Sequence, residues 1–182
     1  MSDQKLKIGI ILGSTREGRL SPSVGNWVLE IANERKDAEY EIVDLRNYKL
    51  PFLGEAGNNK EIVKWNEKLA ELDGFVFIVQ EYNHSITAVL KNALDSAKEH
   101  WNNKAAGIVS YGSLGGARAT EHLRAILSEL QIAHVRTHPA FSLFHDFENM
   151  SVFKPQAVQK DTVNLMLDQL LAWAKALKPL RK

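Results

Sequence analysis

Short apolar runs alternating with helix-like stripes along 182 residues predict a doubly wound α/β fold, an open parallel sheet with helices on both faces. Two observations carry that prediction. Five short runs read as strands, and the segments between them repeat apolar residues at helical spacing. Each right-handed crossover through such a segment returns the chain to the same end of the sheet, so the strands pair in parallel. The length suits one domain, residues 1–182, with enough chain to bury a core.

Residues 6–12 form an apolar run closed by Gly13, as expected of a strand buried on both faces. Val24, Trp27, Val28, Ile31 and Ala32 then share one helix face. Residues 40–45 read as the second strand, and Ile62, Trp65, Leu69 and Leu72 mark the next helical stripe. The third strand is 75–79, and the third helix runs over 86–98 with Ile86, Leu90, Leu94 and Ala97 inward. Strands four and five are 105–110 and 133–136, joined by a helix over 117–130 that turns Leu123, Ile126, Leu127 and Leu130 to the core. A last helix follows Pro155. Residues 141–153 are loop-like and hold Phe141, Phe144, Phe147 and Phe153, expected to cover core or a subunit contact rather than ligand. No repeat, low-complexity tract or linker interrupts the pattern.

Lys and Arg number 23 against 22 Asp and Glu, a balance that favours neither a nucleic-acid binder nor an acidic carrier. The absence of Cys excludes disulfides, thiolate metal sites, iron–sulfur clusters and a Cys nucleophile, so redox chemistry requires a bound cofactor. No stretch approaches the roughly 20 apolar residues that cross a bilayer, and the first residues lack a signal-peptide apolar region. The expectation is a soluble cytoplasmic protein with no membrane or nucleic-acid partner.

Ligands of open parallel sheets bind outside the carboxyl ends of the strands. The loops after strands one, three and four are therefore the candidate site. In the first, residues 13–23, a helix N-terminus with free N–H groups joins the hydroxyls of Ser14, Thr15, Ser21 and Ser23 and the charges of Arg16 and Arg19. That suits a phosphate, although a polar turn with Ser21 or Ser23 as a helix cap is the alternative. It lacks both the G-x-G-x-x-G and the G-K-[ST] patterns, so neither a dinucleotide fold nor a P-loop is supported. The second loop, Gln80 to Ser85, offers backbone amides, Tyr82 for packing and Asn83 for a polar contact with a planar heterocycle, with Ser85 as a fitting N-cap. Glu81 is a candidate acid or base for which no partner is placed. The third loop, Tyr111-Gly112-Ser113-Leu114-Gly115-Gly116-Ala117, concentrates glycine where φ must be positive or a ligand lies on backbone, and Gly115 is expected to leave room for a flat ring.

Gly13-Ser14-x-Arg16, Glu81-Tyr82-Asn83-x-Ser85 followed by Leu90-Lys91-Asn92-Ala93-x-Asp95, and Gly112-x-x-Gly115-Gly116-x-Arg118-Ala119 together resemble the NADPH-dependent FMN reductase family, which includes quinone, azo-dye and chromate reductases. The resemblance implies a flavodoxin-like five-stranded sheet in the order 2-1-3-4-5. It implies FMN phosphate at Ser14, Arg16, Ser21 and Ser23, and the flavin ring between Gln80, Glu81, Tyr82 and Asn83 on one side and Tyr111, Gly112, Ser113, Gly115 and Gly116 on the other. It further implies a homodimer or homotetramer with the third helix at the interface, so that Lys91, Asn92 and Asp95 pack, cap or touch a subunit. Arg118 and Arg124 would meet a nicotinamide phosphate or a neighbouring subunit, unless they lie on a solvated helix face. Gln80 departs from the family's usual Pro at that position, restoring an N–H and loosening φ.

The implied reaction passes hydride from NADPH or NADH through FMN to a small acceptor such as a quinone, azo compound or free flavin, with ping-pong kinetics and no catalytic side chain. The alternatives are a flavodoxin-like electron carrier and a non-catalytic protein that kept the fold. A metallohydrolase is disfavoured, because His134 and His138 flank a strand at a spacing that pairs ligands only on a helix.

Overall fold

The computed structural model describes residues 5–55, 59–97 and 99–181. Its strands are β1 (Lys7–Leu12), β2 (Glu39–Asp44), β3 (Gly74–Gln80), β4 (Lys104–Gly112), β5 (Ile132–His134), β6 (Ala140–Ser142), β7 (Phe147–Glu148) and β8 (Val152–Phe153). The helices are α1 (Ser21–Arg35), α2 (Asn59–Ala70), α3 (Ala88–Asp95), α4 (Ala117–Glu129) and α5 (Val158–Leu177). The main sheet runs β2-β1-β3-β4-β5, all parallel, which is the flavodoxin-like order.

Burial on both faces explains the continuous apolar runs: every residue of β3 and β4 is buried. On one face, Val24, Val28 and Ile31 of α1 and Met166, Leu167 and Leu170 of α5 pack on Ile8, Ile10, Val76, Ile78 and Val109. On the other, α2, α3 and α4 set Trp65, Leu69, Leu90, Leu94, Leu123 and Leu127 against Ile11, Phe75, Phe77, Val79 and Ile108. The buried indoles are satisfied, Trp65 Nε1 donating to Ala93 O at 2.9 Å and Trp101 Nε1 to Leu94 O at 3.0 Å.

Three expected elements differ. The third helix spans Ala88–Asp95 rather than 86–98, because Thr87 rather than Ser85 caps it, its Oγ1 accepting from Leu90 N at 3.1 Å. Lys98, the expected last residue, lies outside the described residues. The fifth strand is split: β5 and β6 both pair with β4, and six residue steps from His134 to Ala140 face four from Ala106 to Ser110. Pro139 cannot donate to a ladder, but its carbonyl accepts from Ser110 N at 2.9 Å, and Gln169 on α5 holds Thr137 through its backbone N–H and hydroxyl. Finally, the loop-like 141–153 contains β6 and the β7–β8 hairpin. Phe141 and Phe153 meet Trp27 and each other edge-on, Phe147 packs tilted on Phe153, and the cluster lies over the core, while Phe144 is exposed. Among the described residues no helix is long and apolar enough to cross a membrane.

Candidate functional site

The register places the three loops side by side. Leu12 pairs with Ile78, Gln80 with Tyr111 and Gly112 with Ser142, so the carboxyl ends of β1, β3 and β4 are neighbours. The first loop leaves β1 as Gly13 N donates to Ile78 O at 3.0 Å. From Ser14 to Leu20, among the described residues, no backbone amide donates to a protein acceptor. A run of free N–H groups entering a helix N-terminus is an anion-binding concavity.

This loop is held from beneath rather than by itself. Arg19 forks onto Asp44 at the end of β2 (2.6 and 2.5 Å) and onto Ser14 O (2.5 Å), and its side chain is 8% exposed. Arg46 reaches over to the carbonyls of Thr15 (2.9 Å) and Arg16 (2.6 Å). Burial works against the Asp44 charge, but Arg19 and the Arg46 amide and guanidinium hold its carboxyl below the usual range. Arg19, counted by sequence among the phosphate charges, is therefore a brace. Neither Asp44 nor Arg46 stood out in the sequence; the signal available was their position at the end of a strand predicted beside β1.

Arg16 is the exposed cation of the loop, 5.8 Å from the centroid of the Tyr82 ring and in no ion pair among the described residues. Ser14 is buried, with Oγ 3.4 Å from the Tyr82 hydroxyl. Ser21 is fully buried, and its Oγ has no well-formed partner although the Tyr111 phenol is near. It does not cap α1, whose N-cap is Leu20 without a side-chain bond. A buried orphan hydroxyl, free amides and an uncommitted Arg16 fit a phosphate group. Ser23 stands apart, exposed on a depression with Trp27 and Phe153.

Gln80 is buried, its side-chain amide donating to Gly13 O and its Oε1 without a partner. Thr87 Oγ1 donates to the same carbonyl at 2.6 Å. The residue that departs from the family's Pro thus ties loop two to loop one from below. Tyr82 and Ser85 exchange backbone hydrogen bonds (3.0 and 3.1 Å), and Asn83 and His84 between them have φ of 46° and 75°, a tight primed turn that presents both side chains to solvent. Ser85 Oγ meets His122 Nδ1 at 2.9 Å.

Glu81 points away from this turn. It pairs with Arg118 and accepts from the α4 amides of Arg118 (3.2 Å) and Ala119 (3.5 Å). Burial opposes its charge, yet Arg118 and those amides keep its carboxyl below the usual range. A carboxylate clamped in its charged form is a helix cap, not an acid or base in waiting. Arg118 and Arg124 are likewise occupied: Arg124 donates to Val135 O (2.9 Å), Arg136 O (3.1 Å) and contacts His134 Nδ1 (2.7 Å), pinning the split edge strand. Asn92 donates to the carbonyls of Leu50 and Pro51, and Lys91 pairs with Asp95.

In the third loop Tyr111 is buried against Phe147, so its side chain lies under loop one rather than beside a ring slot. Burial, with the Tyr82 phenol adding, pushes its pKa up. Gly115 and Gly116 have φ of 70° and 76°. A Cβ on Gly116 would lie 2.9 Å from Ser110 Cβ and one on Gly115 3.3 Å from Ala140 Cβ, so the missing side chains are demanded by the loop's own packing, not by an open slot. Gly112 O accepts from Gly115 N and Leu143 N, and Ser113 and Leu114 are exposed at the tip. Among the described residues no His, Asp or Glu cluster is suited to a metal. His134 and His138 are both shifted down by burial and by Arg124.

The family model for NADPH-dependent FMN reductase matches residues 6–146. An NAD(P)H-dependent FMN reductase of Schizosaccharomyces pombe is 36% identical over 149 residues, covering 77% of this chain and 74% of that one. An NAD(P)H:quinone oxidoreductase of Solanum tuberosum is 35% identical over 166 residues, 86% of this chain and 84% of the relative. Among solved structures, the flavoenzyme NAD(P)H:(acceptor) oxidoreductase FerB of Paracoccus denitrificans has a TM-score of 0.75 at 20% identity, covering 94% of this chain and 98% of that one, a likeness of fold.

Proposed function

The chain belongs to the NADPH-dependent FMN reductase family, and with that membership as premise we propose how its own residues hold the cofactor and what class of acceptor it serves. The protein is an FMN-dependent NAD(P)H oxidoreductase of the quinone and flavin reductase type. When bound, FMN would supply the hydride chemistry that links NADPH or NADH to a small acceptor, and the protein would bind and orient it.

The phosphate is held by the free amides from Ser14 to Leu20, the hydroxyls of Ser14 and Ser21, and Arg16 as the charged partner; these unpaired N–H groups carry the reading. The flavin ring would be held between the turn Tyr82–Ser85 and loop three at Gly112 and Ser113, with Gly115 and Gly116 shaping that loop through its own packing. Tyr82 and Asn83 border it, while Gln80, Glu81 and Tyr111 act from below by fixing the loops. Ser23 is the weakest member of the set, since it faces a different depression.

The acceptor would be a quinone or similarly flat molecule that occupies the same site as the nicotinamide in turn, which predicts ping-pong kinetics. Exposed Leu114 and Phe144 supply an apolar rim beside loop three. A second copy of the chain covers the groove of about 260 Å³ formed by Tyr48, Leu50, Phe52 and Val89, making a homodimer or half of a homotetramer. The exposed Phe52, Leu53 and Val89 support this. A cytoplasmic location accords with dependence on NAD(P)H.

The visible spectrum of the purified protein tests the core of this reading. Flavin bands bleached by NADPH and restored by a quinone are expected, with parallel double-reciprocal plots. A colourless protein that refuses added FMN would overturn it, and intersecting plots would remove the shared face. Sedimentation tests the dimer.

A further inference from the structure

The opposite end of the sheet holds a cavity of about 450 Å³, far from the three loops and within the roughly 300–1,000 Å³ typical of small-molecule pockets. Lys104, the first residue of β4, lines it and is 4% exposed. Its Nζ donates to Leu69 O at 2.5 Å and sits 5.5 Å from the Phe75 ring centroid. An ammonium has three donors, and the remaining two find no acceptor among the described residues. A buried charge in that condition is costly.

Two carboxylates, Asp73 and Glu99, line the same cavity, and neither hydrogen-bonds Lys104 among the described residues. Asp73 is taken by Lys178 Nζ (3.0 Å), Arg181 NH2 (2.7 Å) and the Lys7 amide (3.0 Å). Burial, then repulsion from Arg181, lowers the Lys104 pKa to about 8, with Asp73 opposing only as the smallest influence. The three cations Lys104, Lys178 and Arg181 still outnumber the two carboxylates of the lining. The cavity presents two ammonium groups and a guanidinium, and Asn102 and Asn103 add amide groups at its rim.

We propose that this cavity binds a small phosphomonoester, its phosphate between Lys104 and the Lys178–Arg181 pair and its hydroxylated body against Asn102 and Asn103. A dianion supplies the acceptors that Lys104 lacks, and arginine and lysine together are the usual phosphate partners. The volume exceeds what bare phosphate fills, which is the reason for an organic body.

The test uses the FMN-loaded enzyme with carbon-13-labelled lysine, titrated with ribose 5-phosphate, inorganic phosphate and ribose. Saturable movement of the Lys104 Cε resonance and an upward shift of its titration midpoint are expected with ribose 5-phosphate. Binding about tenfold weaker for inorganic phosphate, and none for ribose, should accompany them. Lys104→Met should abolish binding. Because that change alters a buried group, Lys178→Ala, at a half-exposed side chain, is the second variant and should weaken binding about fivefold. No saturable change at tens of millimolar, unchanged binding in Lys178→Ala, equal affinity for inorganic phosphate, or a response that tracks FMN release would each overturn the proposal.

Discussion

Loops one and three leave neighbouring strands at the same edge of the sheet, yet they are stabilised in opposite ways. Loop one relies on side chains for support: Arg19 and Arg46 donate to its carbonyls and Asp44 anchors Arg19, while its amides stay free. Loop three spends its backbone on itself, with Gly115 and Gly116 at positive φ and their missing Cβ atoms facing Ala140 and Ser110. Glycine content alone does not identify a binding loop. Unpaired donors do.

The largest expected effect comes from removing the brace. Arg19→Ala leaves Asp44 without its fork and should cost about 3 kcal/mol in urea unfolding while weakening FMN binding, which fluorescence titration would read. Unchanged stability would mean that loop one supports itself. Gly116→Ala should cost about 2 kcal/mol, because φ is positive and the new Cβ meets Ser110 and the Tyr111 carbonyl; FMN affinity of the folded fraction should barely change. A loss of affinity without a loss of stability would restore the reading of that glycine as ligand space.

Arg16→Ala should do the reverse, lowering FMN affinity about tenfold, or about 1.4 kcal/mol, and leaving the unfolding curve in place. The smallest effect belongs to Glu81→Gln, about 1 kcal/mol at pH 7 from a weakened cap on α4. The depressed carboxyl contributes stability that is complete above its unfolded value, about 4.3, and is lost as pH falls through the lower folded value. The gap between parent and Glu81→Gln should therefore close on acidification below pH 4. A gap that persists there would show that charge is not what the cap uses.

Much of the fold was legible because periodicity reports burial directly. The runs at β1, β3 and β4 fall where they are expected because two-sided burial leaves few polar positions to blur the signal, and the stripes of α1 and α4 do so because one face of each helix packs on the sheet. The edge was harder. β5 and β6 are separated by a detour that contains Pro139 and that Gln169 and Arg124 stabilise, partners about 30 and 10 residues away in sequence. Local pattern carries no record of such bonds.

The site divided in the same way. Sequence alone determined the α/β alternation, and with it the three loops at one sheet edge and the polar, cationic character of Ser14, Arg16 and Ser21, because these follow from residue type and order. Tertiary structure decided which charge is free: Arg16 and Arg19 are three residues apart and chemically identical, but only Arg19 comes within reach of Asp44. It also turned Glu81 and Arg118 into a helix clamp and buried Gln80 beneath Gly13. Which partner a long charged side chain finds depends on distances across the sheet, and those exist only once the chain has folded.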